Sequence, residues 1–218
     1  MDKKKMMLIV TLIVTGVVGR LTLHQFLPPS PDVYINVNGV VQPLFMMDLF
    51  FLIAIISMLS GFLLDKRYSI LIPLSVMFIT DMIIGNNFIL LFTWSGFAMI
   101  GLLSYLLKSR GKFNPQSKSL IFGTGVAGVL LYDLWTNFGC WLAWYPHTFD
   151  GLVLCYTLAI PFTLWHLLST TVAMVAIVLP IVYLKEHNVL KPSSSPKPTK
   201  KPIAHVIHSS ENLPSQSL

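Results

Sequence analysis

The stretch "LYDLWTNFGCWLAWYPHTFDG", residues 131–151, gathers Asp133, Thr136, Asn137, Cys140 and His147 among aromatic side chains in a chain that is otherwise apolar. A carboxylate, an amide, a thiol and an imidazole brought together can hold a small molecule, hold a metal, or lock helices to one another. Asp133, Asn137, Cys140, Trp141 and Trp144 recur at i, i+4, i+7, i+8 and i+11, which reads as one stripe of a helix. If that helix ends near Trp144, Asp133 lies about 17 Å along it at about 1.5 Å per residue. That depth is near the middle of a bilayer. A carboxylate there costs roughly 2.5–3.5 kcal/mol on insertion scales, so it must face protein, water or a partner, and it is a functional-site candidate. The plain alternative is an Asp–Asn hydrogen bond that only locks helices together.

The other ionisable and polar residues collect toward one end of their apolar runs. Arg20 closes the first run, Asp48 opens the second, Asp81 with Asn86 and Asn87 ends the third, and Trp94 and Ser95 open the fourth. His166, Ser169 and Thr170 form an i, i+3, i+4 face at the start of the sixth. Such a distribution describes a cup open at one end, not a channel lined throughout. Arg20 is expected to pair with Asp48 or Asp81, either as a structural ion pair or as an anchor for a ligand carboxylate or phosphate.

Six apolar runs must position these groups: residues 6–22, 43–64, 68–85, 88–107, 119–142 and 162–184. With 54% hydrophobic and 11% charged residues, and a mean hydropathy of +0.71, the composition is that of an integral membrane protein. A span needs about 20 helical residues. The fourteen Lys and Arg residues other than Arg20 fall in every second connection and at the termini, while 23–42, 86–87 and 143–161 hold none. Basic loops stay in the cytoplasm, so both termini are expected inside, in the cell membrane. The net charge of +6 then reflects topology and anionic lipid, not a nucleic-acid partner. The N-terminal run lacks a small-residue cleavage site and reads as an uncleaved first helix. Residues 1–184 are expected to form the transmembrane domain and 185–218, rich in Pro, Ser and Lys, a disordered cytoplasmic tail.

Two connections read as lids. Residues 23–42 carry three prolines and then alternate Val33, Ile35 and Val37 around Asn36 and Asn38, an extended or hairpin-like flap that turns at Asn38-Gly39. Residues 143–161 are too apolar for a free loop and read as a half-buried helix stopped at Pro161. Cys140 and Cys155 in this region are open to three readings: unpaired packing, a disulfide, or metal ligation, the last without a supporting spacing. Small residues at Thr11, Thr15 and Gly19, and at Gly123 and Ala127, suggest internal helix contacts or docking faces. No nucleophile elbow, phosphate loop, dinucleotide fingerprint or zinc-protease motif occurs, so nothing in the sequence argues for an enzyme or a cofactor.

The segments "GVVGRLTLHQFLPPSPDVYINVNGV", "LIPLSVMFITDMIIGNN", "FTWSGFAMIGLLSYLLKSR" and "TNFGCWLAWYPHTFDGLVLCYTLAIPF" resemble an uncharacterised prokaryotic family of six-helix membrane proteins. That family is in turn similar to the substrate-capture S components of energy-coupling-factor (ECF) transporters. The resemblance covers residues 8–184 and implies an all-α, six-helix S-component-like bundle with an outward-facing cup under loop lids. The expected function is capture of a small micronutrient, vitamin-like or nucleobase-like, from outside. Arg20, Asp81, Asp133, Asn137 and His166 would supply polar contacts, and Tyr132, Trp135, Trp141 and Trp144 the walls. The resemblance implies as partners the ligand, the lipid bilayer and either an ATP-driven energising module or another membrane complex. In S components a small-residue motif on the first helix docks that module, and Thr11, Thr15 and Gly19 match it loosely. The alternative is a non-catalytic structural or assembly subunit of a larger membrane complex.

The charge alternation makes a direct prediction. A cysteine placed at Lys112 should react with a membrane-impermeant thiol reagent only after the cytoplasmic face is opened; labelling of intact cells at that position would contradict the topology.

Overall fold

The computed structural model describes residues 2–26, 34–37, 40–43, 47–85, 88–110 and 118–186. The disordered-tail expectation from 187 onward, the Asn38-Gly39 turn, and Asn86 and Asn87 lie outside the described residues. The helices are α1 (Lys3–Thr22), α2 (Phe50–Leu63), α3 (Lys66–Ile84), α4 (Leu90–Ser109), α5 (Lys118–Trp144), α6 (Phe149–Ala173) and α7 (Leu179–Glu186), the last two joined by a π-helical turn, Met174–Val178. Five helical stretches are long and apolar enough to cross a membrane, with α6 through α7 counting as one of 36 residues. The architecture is that expected of a multi-pass α-helical membrane protein. Between α1 and α2, strands β1 (Tyr34–Val37) and β2 (Val40–Pro43) pair antiparallel with Val37 opposite Val40, the hairpin-like pairing that the alternating valines suggested.

α2 is the centre of the bundle, lying against α1, α3, α4, α5 and α6. All residues from Ile53 to Phe62 are buried. Fourteen residues of helix span only about 21 Å, short of a bilayer core of about 30 Å. The basic end is marked by one ring of contacts: Lys5 pairs with Asp65, and Lys108 Nζ donates to the Leu64 carbonyl at 2.6 Å. The Lys5 ammonium also holds the exposed Asp65 carboxyl below its usual range. Because α2 ends flush at this basic end, it begins short of the opposite end. The expected span 43–64 is corrected accordingly: Pro43 belongs to β2, Met47–Leu49 is non-helical, and the helix begins only at Phe50.

A second correction concerns the connection between α5 and α6. Only Tyr145–Thr148 is non-helical, α6 starts at Phe149 behind the Thr148 cap, and the helix runs straight through Pro161. Stopping a helix in lipid leaves its last carbonyls with no water to donate to them, so continuing past a proline costs less than ending there. Pro180 is absorbed differently: the Leu179 N–H reaches back to the Met174 carbonyl, five residues away, in the π turn just before it.

Small side chains set the helix spacing. The hydroxyls of Ser57, Thr80, Ser104 and Thr124 each donate to a carbonyl one turn back at 2.7–2.9 Å, so these interior polar groups satisfy themselves. On α1 the buried face is Leu12, Gly16 and Gly19, where a methyl would meet Val76 and Leu52. Thr11, Thr15, Gly123 and Ala127 are exposed instead, so Thr11–Thr15 and the Gly123 stripe are not internal contacts. The tightest approach joins α2, α3 and α4, where a Cβ on Gly101 would run into the Ser69 carbonyl oxygen.

Gly101→Ala should therefore lower stability by about 1–3 kcal/mol through overpacking. Gly123→Ala, with open space around it, should leave stability unchanged or slightly raised. Thermal unfolding of the detergent-solubilised protein checks both, and an undisturbed Gly101→Ala variant would contradict the packing.

Candidate functional site

Two carboxylate assemblies lie at the end opposite the basic ring. The first forms because Gly16 and Gly19 bring α1 close to α3, which sets Arg20 beside the end of α3. Arg20 Nη1 pairs with Asp81 Oδ1 and donates to the Thr80 hydroxyl. Trp94 Nε1 on α4 donates to Asp81 Oδ2 at 2.6 Å. Both oxygens of a carboxylate that is 7% exposed are thus met by donors from two other helices. Of the two partners expected for Arg20, the structure selects Asp81.

The second assembly joins α6, α5 and the residues ahead of α2. His166 Nδ1 lies 2.7 Å from Asp133 Oδ1, and its Nε2 lies 3.0 Å from Asp48 Oδ2. Asp48 also accepts the Phe50 N–H on Oδ1 at 3.1 Å, capping α2, and its carbonyl accepts from Trp165 Nε1 at 3.3 Å. The imidazole stacks on the Phe50 ring at 4.0 Å between centroids, with the Tyr132 ring edge-on at 6.2 Å. Two hydrogen bonds between one imidazole and two carboxyls require at least two protons among the three groups, so the assembly carries at most one negative charge. Asp133 is 5% exposed, and its Oδ2 has no hydrogen-bond partner among the described residues.

Next to this assembly is a cavity of about 320 Å³ lined by Asp133, Asn137, Cys140, Trp144, Tyr145 and His166, with Tyr132, Thr93, Thr136 and Phe162 completing its walls. A second hollow of about 240 Å³ is lined by Arg20, Asp48, Phe50, Ile53 and Phe97. Ile89, Thr93 and Tyr132 line both, so the two are neighbours. The smaller lies at the start of α2, while the larger is walled by α4, α5 and α6.

Of the residues expected to form the site, Asp133, Asn137, Trp144, Tyr132 and His166 line the larger cavity, and Arg20 the smaller. Asp81 serves as the partner of Arg20 and lines neither. Trp141 is a correction: its Nε1 donates to the Pro146 carbonyl at 2.9 Å and its ring meets His147. At about 100° per residue, i+8 stands about 80° from Asp133, whereas i+7 and i+11 return to within about 20°. Trp135, two residues from Asp133, faces the far side and donates to Ser95 Oγ at 2.8 Å. Missed as site residues were Asp48, Phe50, Thr93 and Thr136. Asp48 had a signal, a lone carboxylate at the start of an apolar run; Thr93 and Phe50 had none. Both cysteines are free, with Cys155 Sγ donating to the Asn137 carbonyl at 3.4 Å. Among the described residues no group of three metal-ligating side chains occurs.

Residues 1–193 match a family described as of unknown function, DUF6580, and the chain belongs to that family. No curated protein and no solved structure matches it.

Removing one member of a buried ion pair leaves the other uncompensated, which costs about 3–5 kcal/mol. Arg20→Met should fall toward the lower end of that range, since the Arg20 side chain is 23% exposed. Arg20→Met combined with Asp81→Asn, which keeps an acceptor for Trp94, should recover most of the loss. Unfolding of the two variants in detergent measures it, and an additive double variant would contradict the pairing.

Proposed function

We propose that this protein is a multi-pass protein of the cell membrane that binds a small micronutrient, vitamin-like or nucleobase-like, from outside, in the manner of the S components of ECF transporters. The observation that carries the reading is the cavity beside Asp133, which combines aromatic walls with a buried carboxylate oxygen lacking a partner. Its position opposite the Lys- and Arg-bearing connections supports an outward-facing cup, with both termini in the cytoplasm. The β1–β2 hairpin and the Tyr145–Thr148 connection are suited to act as lids. Uptake would follow from tilting of the bundle, alone or against an ATP-driven module in the same membrane. The outward-facing Thr11, Thr15, Gly123 and Ala127 favour a second reading, a non-catalytic assembly subunit whose small-residue faces dock on a larger complex.

Native mass spectrometry of the full-length protein released from mild detergent separates the two. Capture predicts one small molecule per chain, lost in Asp133→Asn while fold and expression are kept. A protein that emerges empty and tightly bound to one large complex would overturn capture in favour of assembly.

A further inference from the structure

The polar groups that line the cavity are not evenly divided between donors and acceptors. The Thr93 hydroxyl donates to the Leu90 carbonyl at 3.0 Å, and the Thr136 hydroxyl to the Tyr132 carbonyl at 3.0 Å. The Asn137 amide donates to the Asp133 carbonyl at 2.7 Å, and the Cys155 thiol to the Asn137 carbonyl at 3.4 Å. The His166 imidazole has both nitrogens engaged by carboxylates. These donor hydrogens are committed to carbonyls of the bundle itself. On the acceptor side, Asp133 Oδ2 is buried without a hydrogen-bond partner among the described residues. Arg20 lines the neighbouring hollow and holds Asp81 and Thr80 through Nη1.

A second carboxylate or a phosphate beside Asp133 would meet like charge. A ligand that brings N–H groups and positive charge would instead satisfy the unpartnered oxygen through a charge-assisted hydrogen bond. The walls add a preference for a flat, unsaturated body: Tyr132, Trp144, Tyr145 and Phe162 present rings to the cavity, and rings attract cations over their faces. The geometry points to a cationic nitrogen ligand, an amidinium or protonated amine carried on one or two rings, with its N–H directed at Asp133 Oδ2. This inference rests on the capture reading and names the chemical class captured.

The test uses three planar probes of one shape and three charges: benzamidine as the cation, benzamide as the neutral amide and benzoate as the anion. Each is titrated against the full-length protein in detergent, with binding read by saturation-transfer NMR and by the shift in Tm. Benzamidine should bind at least tenfold more tightly than either of the others, the difference expected of one charge-assisted hydrogen bond. Asp133→Asn should abolish that preference, because the new amide retains an acceptor for His166 and turns a donor toward the ligand. Asp133→Glu, which keeps the charge, guards against a variant that simply fails to fold; it should favour benzamidine over benzoate. Benzoate or benzamide binding as tightly as benzamidine would overturn the cation assignment and leave capture standing. Benzamidine failing to bind overturns it too, and native mass spectrometry then tells whether capture falls with it: an anion or neutral compound found in the protein spares capture, an empty protein does not.

Discussion

A carboxylate cannot stay charged inside an apolar shell unless something of opposite sign or with donor hydrogens stands against it. Asp81 and Asp133 are both buried here, and the way each is answered decides which helices must be neighbours. Asp81 draws Arg20 from α1 and Trp94 from α4 onto the end of α3. Asp133 draws His166 from α6 onto α5, and the imidazole then reaches Asp48 at the entrance to α2. Apolar packing alone would tolerate several arrangements of helices in lipid, because their outer surfaces are equally at home there. Two electrostatic assemblies at one end restrict the choice.

The same end is where α2 falls short. Its late start leaves a backbone N-terminus inside the bundle, and the Asp48 carboxylate answers the Phe50 N–H as well as His166. One residue thereby couples the helix cap to the buried charge assembly. The hollow that remains above α2 is walled by the rings of Phe50, Phe97 and Tyr132, which pack with centroids 4.6–5.5 Å apart. The smaller hollow and the charge assembly thus meet at the start of a central helix shorter than its neighbours.

Much of this was legible in the residues. Long apolar runs give α1, α3, α4 and α5 nearly to their ends, and depth along α5 singles out Asp133 before any contact is known. The pairing of Arg20 with Asp81 was one of two options that charge count alone allowed. What could not be read lies in distances through space: Asp48 and His166 are 118 residues apart, and nothing local links them. Pro161 misled because proline is a stop signal in water, where freed backbone groups find solvent, and a weaker one in lipid, where they do not. Trp141 misled because a stripe spanning i+7 and i+8 is wider than the cavity it lines. The true length of α2 was hidden since Pro43 to Leu49 is as apolar as a helix end.

The open oxygen on Asp133 bears on what the assembly is for. A lock between α5 and α6 needs one acceptor for one His166 donor, and Oδ1 supplies it. An asparagine would serve such a lock through its own carbonyl oxygen and would remove the charge that the bundle must bury. Leaving Oδ2 without a donor costs about 1–3 kcal/mol in the empty protein. Asp133 lines the cavity, whereas the hydroxyls of Ser57, Thr80 and Ser104 in the core are satisfied by their own helices and that of Thr170 on α6, also buried, has no partner among the described residues. Under the capture reading a ligand donor would relieve that penalty, whereas in a purely structural joint it would only weaken the fold.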